Sequence, residues 1–191
     1  MIRSQLLNKL FKDTEHKRAL AIVSPDEGDG KSYFAANLAI SFSQLGGRTL
    51  LVDANLRNPR QHELFGTNNT TGLSAILSGR ATKNVVRTVS SFPSLFILPA
   101  GNVPPNPLEL VERPAFGLLM RELTNKFDYV VVDTAAASHG ADAVAVASRS
   151  GAALVLARKG VSRLRAIEAM VQDLQDTSAK VVGSVFNEVE A

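Results

Sequence analysis

The stretch Ala19-Leu-Ala-Ile-Val-Ser-Pro-Asp-Glu-Gly-Asp-Gly-Lys-Ser32 decides the fold. Ala19 to Val23 is short, continuous and apolar, as a strand covered on both faces must be. From Ser32 a helical pattern runs to Leu45 and stops at Gly46-Gly47. The loop between them ends in Gly-Lys-Ser, and a glycine-containing turn that opens a helix is built to hold phosphate. Its glycines let successive N–H groups turn inward, the helix start adds partial positive charge, Lys31 can reach the outer phosphates, and Ser32 can offer its hydroxyl to Mg²⁺. Pro25 stands where the strict pattern has its first glycine. Asp26, Glu27 and Asp29 are acids in a loop meant for a polyanion, so their side chains are expected to point outward while the amides point inward. The expected nucleotide-facing residues here are Glu27, Gly28, Asp29, Gly30, Lys31, Ser32 and Tyr33.

The same alternation repeats along the chain. Apolar runs at 49–52, 95–98, 129–132, 152–157 and 181–186 read as further strands buried on both faces. Helical patterns at about 61–78, 107–125, 140–148 and 162–175 separate them, with Pro107 and Pro114 suited to first turns. This order predicts an α/β fold: a doubly wound, mainly parallel sheet with helices on both faces, like that of the P-loop NTPases. Ligands in such sheets sit beyond the carboxyl ends of the strands, just after Val23, Val52, Val132, Ala157 and Phe186. Ile2, Leu6 and Leu10, with Leu7 and Phe11 beside them, make residues 1–12 an N-terminal docking helix, and 1–191 reads as one domain.

Composition narrows the classes. The 191 residues are 45% hydrophobic, and 21 Lys+Arg against 18 Asp+Glu leave a net charge of +3. That excess is spread along the chain, so nucleic-acid binding is not implied. The absence of cysteine excludes disulfides, thiolate catalysis and cysteine-based zinc sites, while His16, His62 and His139 are too scattered to suggest a metal cluster. No uninterrupted apolar run approaches the roughly 18 residues that cross a bilayer, so membrane attachment is expected through a partner.

Two of the apolar runs end in acids: Leu50-Leu51-Val52-Asp53 and Val130-Val131-Val132-Asp133-Thr134. Either acid alone could simply cap the next helix. Beside a phosphate loop, Ser32, Asp53 and Asp133 make a set for Mg²⁺, and Asp53 can also take a proton from an incoming hydroxyl. Arg57 and Arg158 are candidate cations for a transferred phosphate, whereas Arg60 and Lys159 read as surface charges. Asp53, Lys31 and Arg57 are the expected catalytic residues.

On these residues the chain resembles the bacterial protein-tyrosine kinases, P-loop proteins that govern polysaccharide chain length and export alongside membrane co-polymerases. The resemblance extends over essentially the whole chain and is nearest the EpsG-type exopolysaccharide kinases. Residues 24–32 match their Walker A, Leu-Val-Asp-Ala-Asn-Leu-Arg-Asn-Pro-Arg over 51–60 and onward their Walker A′, and Val-Val-Asp-Thr at 131–134 their Walker B. Leu-Pro-Ala-Gly at 98–101, Pro-Pro-Asn-Pro at 104–107 and Gly-Ser-Val-Phe-Asn at 183–187 also fit. The resemblance implies ATP/ADP and Mg²⁺ as cofactors, and contact of Asn187 with the adenine. It implies as partners the cytoplasmic tail of a membrane polysaccharide co-polymerase and a protein tyrosine substrate. The place would be cytoplasmic, at the inner face of the bacterial membrane through that partner. The family also includes homo-oligomers; Arg3 matches only the last residue of its Glu-x-x-Arg-x-x-Arg assembly motif, so ring assembly is not carried over to this chain.

Some residues depart from the pattern. Asn55 replaces the second Walker A′ Asp, which weakens metal anchoring and keeps open a nucleotide-sensing scaffold that transfers nothing. Ala135-Ala136-Ala137 replace the prolines after Walker B, which is expected to loosen that loop. Asp26 stands where related partition and cell-division ATPases carry an extra lysine, so a partition-type ATPase is the third reading. Tyr33 and Tyr129 are the two tyrosines, both expected to be structural, and the family's C-terminal tyrosine cluster has no counterpart.

Overall fold

A computed structural model describes residues 2–11, 19–81 and 83–188. Among these, seven strands form one sheet: β1 (Ala19–Val23), β2 (Thr49–Asp53), β3 (Arg87–Val89), β4 (Phe92–Leu98), β5 (Tyr129–Asp133), β6 (Gly151–Arg158) and β7 (Lys180–Asn187). Their spatial order is β3-β4-β2-β5-β1-β6-β7. Neighbours are parallel except β3 and β4, an antiparallel pair at one edge. The expected doubly wound α/β sheet is therefore present, with one strand more than the apolar runs suggested. β3 is three residues of Arg-Thr-Val, too short to show a period and too exposed to be apolar throughout.

Strand side chains alternate between two cores, because successive Cβ atoms point to opposite faces. Ala19, Ala21, Val23, Leu50, Val52, Val130 and Val132 face one core, covered by α4 (Leu73–Leu77), α5 (Pro107–Glu112), α6 (Pro114–Lys126), α7 (Asp142–Ser150) and α8 (Leu164–Gln175). Leu20, Ile22, Leu51, Val131, Leu154 and Leu156 face the other, covered by α1 (Ile2–Leu6) and α2 (Lys31–Ser43).

The N-terminal segment docks on its own sheet face. α1 runs into a wider, π-type turn over Leu7–Phe11, and Leu6 and Leu10 are buried. The Phe11 ring meets Phe42 and Tyr129 edge-on, each at 5.2 Å, and those two rings stack at 4.9 Å. Arg3 Nη1 donates to the Ser41 carbonyl at 3.0 Å. Met1 and Lys12, also assigned to the docking helix, lie outside the described residues.

Three expectations about elements change. The pattern at 61–78 is two helices, α3 (Gln61–Phe65) and α4, because Gly66 takes a left-handed conformation (φ 60°) that ends the first. The pattern at 107–125 is α5 and α6, each opened by its proline. β7 is not buried on both faces; it is an edge strand beside β6, and Phe186 stands exposed.

The carboxyl ends of β1, β2 and β5 meet where the chain reverses its direction across the sheet. From β1 it crosses over β5 to β2, and later returns to fill the place between them. That reversal opens the crevice in which a ligand can sit.

Candidate active site

The loop after β1 takes its shape from two left-handed glycines, Gly28 (φ 83°) and Gly30 (φ 90°). Gly30 precedes α2, and a Cβ there would lie 2.5 Å from Asn187 Nδ2. Asn187 uses that nitrogen to donate to the Asp29 carbonyl at 3.1 Å, so the end of β7 braces the loop. Pro25 needs no positive φ; its carbonyl accepts from Ser138 N at 2.9 Å.

The three acids do not all point outward. Glu27 is exposed and Asp26 is half-buried, but Asp29 is turned in and buried. The Asp29 carboxylate accepts from Asp26 N at 3.0 Å and from Ser162 Oγ at 2.9 Å. Ser162 Oγ in turn accepts from Arg158 N at 2.7 Å. Asp29 thus holds the loop from beneath, and it joins Arg158 to the flank of the site through the main chain.

Lys31 is buried at the start of α2, with Nζ donating to Ser24 Oγ at 3.0 Å. Burial lowers its pKa, and the charge of Asp133 is the first influence opposing that shift.

Asp53 and Asp133 are register partners across β2 and β5, and both are fully buried. Asp53 accepts three main-chain bonds: from Asn55 N at 3.2 Å, Arg60 N at 3.1 Å and Gln61 N at 3.0 Å. Its carboxyl is nonetheless pushed up to about 8, by burial first and the Asp133 charge second. Asp133 is also raised, by burial, against the Ser32 hydroxyl and Gln61 amide that favour its charged form. Gln61 Nε2 donates to Asp133 Oδ2 at 2.8 Å, while Asp133 Oδ1 is buried without a partner.

Beside the phosphate loop lies a cleft of about 460 Å³, lined by Glu27, Gly28, Gly30, Lys31, Ser32 and Tyr33 together with Asn55, Asn58, Arg60 and Leu64; Asp53 and Asp133, fully buried, do not line it. Loops close around it. Glu27 accepts from Asn58 Nδ2 at 3.0 Å and pairs with His139 Nε2 at 3.1 Å. Ala137 N donates to the Ser24 carbonyl at 3.0 Å. Ala135 and Ala136 are buried, so the loop after Asp133 is tied to the phosphate loop rather than loosened by the missing prolines.

Two expectations about residues move. Arg57 does not line the cleft: its guanidinium grips the buried Asp142 carboxylate with two bonds, of 3.1 and 2.9 Å. Arg60, read as a surface charge, lines the cleft instead. Asp53 has no exposed oxygen, so taking a proton from an incoming hydroxyl would require its three main-chain bonds to rearrange. Sequence reasoning also missed Ser24, Asn58, Gln61, His139 and Ser162. Ser24 and Asn58 lie inside the quoted Walker A and A′ stretches at positions whose chemistry those motifs do not specify; the Ser24 hydroxyl bonds within its own loop, to Asp26 and Lys31, whereas Asn58, Gln61, His139 and Ser162 reach distant segments.

A sequence model of the CobQ/CobB/MinD/ParA nucleotide binding domain family matches residues 20–191. Tyrosine-protein kinase CpsD of Streptococcus agalactiae is 33% identical over 183 residues, covering 95% of this chain and 80% of that protein. The crystal structure of the chimerical protein CapA2B2 superposes with a TM-score of 0.89 at 30% identity, covering all of this chain and 83% of the other. The kinase domain of Escherichia coli tyrosine kinase ETK superposes with a TM-score of 0.87 at 30% identity, over 93% of this chain and 69% of that one. A P-loop beside two adjacent acid-ended strands, on this sheet and with these relatives, establishes that the chain belongs to the bacterial protein-tyrosine kinases of the P-loop NTPase superfamily.

Proposed function

We propose that this chain transfers the terminal phosphoryl group of magnesium-bound ATP to a tyrosine of a protein substrate, and that the transfer regulates exopolysaccharide chain length and export, as in an EpsG-type kinase. The observation that carries this reading is a cleft lined by left-handed glycines, Lys31 and Ser32 in a tyrosine-kinase family member, with a buried carboxylate pair, Asp53 and Asp133, tied through Gln61 to the Ser32 main chain. The donor set fits the cofactor: Ser32 and Asp133 offer hard oxygens, and Asp133 Oδ1 is buried with its acceptor capacity unused. Bound Mg²⁺ would supply charge against the negative charge that develops on the transferred group.

The chain's own residues do the rest. The amides of Gly28 to Ser32 receive the phosphates, and Lys31 exchanges its bond with Ser24 for a phosphate oxygen. Arg60 at the rim, 54% exposed in its side chain and paired with Glu63, can add charge to an incoming phosphate. The base would lie toward Asn187 and Arg158, which are tied to the phosphate loop through Asp29 and Ser162. Asp53 would take the tyrosyl proton once a cation favours its charged form and its three main-chain bonds rearrange to free an oxygen. A co-polymerase tail would activate the chain and hold it at the inner face of the membrane; no described helix is long and apolar enough to cross one.

Labelled ATP incubated with the chain, a tyrosine peptide and the partner tail tests the reading. Label on phosphotyrosine, lost in Lys31→Ala, is expected; no label with or without the tail would overturn it. Asn55 at the cleft favours one other reading, a scaffold that binds nucleotide and transfers nothing. That reading predicts binding without label.

A further inference from the structure

We propose that Gln61 is a positioning residue of this site, fixing the Asp133 carboxylate against the phosphate loop and presenting its own carbonyl oxygen to the water shell of the bound cation. The inference rests on reading the cleft as a magnesium–nucleotide site.

Gln61 opens α3, a helix of five residues, yet its long polar side chain is fully buried. Long amides are rarely buried without a purpose for both ends. Nε2 donates to the Ser32 carbonyl at 2.9 Å and to Asp133 Oδ2 at 2.8 Å. Both partners are acceptors, so they decide which end of the amide is the nitrogen; reversing it would set oxygen against oxygen. The Gln61 main-chain N–H donates to Asp53 Oδ2 at 3.0 Å. One residue therefore touches all three members of the expected metal set, Ser32, Asp53 and Asp133.

What it leaves unused points to a ligand. Gln61 Oε1 and Asp133 Oδ1 are both buried without a donor, on side chains joined by a single hydrogen bond. Each buried acceptor costs stability unless something donates to it. A hydrated divalent cation supplies that kind of donor, since its waters carry strongly polarised O–H groups. A glutamine that merely fastened α3 to α2 would need only its bond to Ser32, and would leave the orphaned Oε1 unexplained. Groups that orient a metal ligand from outside the shell commonly change metal affinity about 10- to 100-fold when removed.

The test is calorimetric titration of ADP, with and without Mg²⁺, into the full chain and into Gln61→Met, which keeps the side-chain volume and removes both polar ends. Metal-free ADP affinity should stay within about twofold of wild type, while the gain on adding Mg²⁺ shrinks about tenfold. In an Asp133→Asn background, Gln61→Met should reduce that gain by less than it does in wild type, because part of its effect passes through Asp133. An equal loss with and without metal, an intact magnesium gain, or additive effects of the two substitutions would each overturn the proposal. If Gln61→Met fails to melt cooperatively, Gln61→Asn, too short to span Ser32 and Asp133, carries the same expectations. A wild-type chain that binds no nucleotide, or gains nothing from Mg²⁺, overturns the reading of the cleft and this proposal with it; loss confined to the variant comparison overturns this proposal alone.

Discussion

Asp53 and Asp133 face one another in register on adjacent parallel strands, and neither exposes any surface to solvent. Two carboxylates in one dry space cannot both ionise cheaply, since burial and mutual repulsion act in the same direction. The main-chain N–H groups of Asn55, Arg60 and Gln61 oppose this at Asp53 but do not overcome it, and its carboxyl stays near pH 8. Burial therefore favours a proton on the pair in the metal-free protein, and on the proposed reading a cation would replace it.

A stability profile follows from that sign. Asp53 has a folded pKa of about 8 against an ordinary 3.8, so between those values the folded state binds more protons than the unfolded state. Its contribution is fully present below the ordinary value and is lost as pH rises through about 8. Melting temperatures of metal-free protein, followed from pH 5 to 9, should fall more steeply for wild type than for Asp53→Asn. Parallel curves would show that Asp53 ionises normally.

Arg57 is expected to stabilise the fold rather than bind nucleotide. Its side chain is one-third exposed, while the Asp142 side chain it grips is 4% exposed. Removing it leaves a buried carboxylate short of two donors, which costs about 1–3 kcal/mol after allowing for solvent reaching the arginine side. Denaturant melts of Arg57→Met should show that loss, with ADP affinity changed less than about twofold, well under 1 kcal/mol. A tenfold loss of affinity at unchanged stability would return Arg57 to the cleft.

The phosphate-loop glycines should differ in a defined order. Gly28 and Gly30 both have left-handed backbones, but a Cβ at Gly28 meets nothing within 4 Å, whereas one at Gly30 meets Asn187 at 2.5 Å. Gly28→Ala should cost only the conformational strain, about 1–2 kcal/mol. Gly30→Ala should cost more, because Asn187 must move and give up its bond to Asp29. Melting and ADP titration of both variants decide the point, and equal losses would mean Asn187 does not brace the loop.

How much of this was legible depends on how far the deciding contacts reach. β1, the phosphate loop and the start of α2 are read from fourteen consecutive residues, because a buried strand must be apolar and a left-handed turn needs glycine. Asp53 and Asp133 stand out because each ends an apolar run. Asp29, Arg57 and Gln61 do not announce their places: their partners Ser162, Asp142 and Asp133 lie 133, 85 and 72 residues away. Composition says that such polar groups need partners but cannot say which. β3 escaped for a different reason, being a three-residue edge strand held mainly by pairing with β4.

On the proposed reading, position 55 should set the metal requirement. Its Oδ1 accepts from Asn58 N at 3.1 Å, a bond a carboxylate would keep, so Asn55→Asp should alter stability by no more than about 0.5 kcal/mol. The added charge on the cleft wall should lower the Mg²⁺ needed for half-maximal transfer by about tenfold, equivalent to about 1.4 kcal/mol. An unchanged requirement would show that position 55 does not reach the cation.

The central claim is that Lys31 and the amides around it grip a nucleotide polyphosphate. Calorimetric titration of magnesium–ADP into the folded chain measures it most directly. Wild type should give a saturable, one-to-one heat, and Lys31→Ala should bind about ten- to a hundredfold more weakly, as loss of a charge-assisted bond worth about 1.5–3 kcal/mol requires. Absence of heat from protein that melts cooperatively, or equal affinity in the two chains, would contradict it.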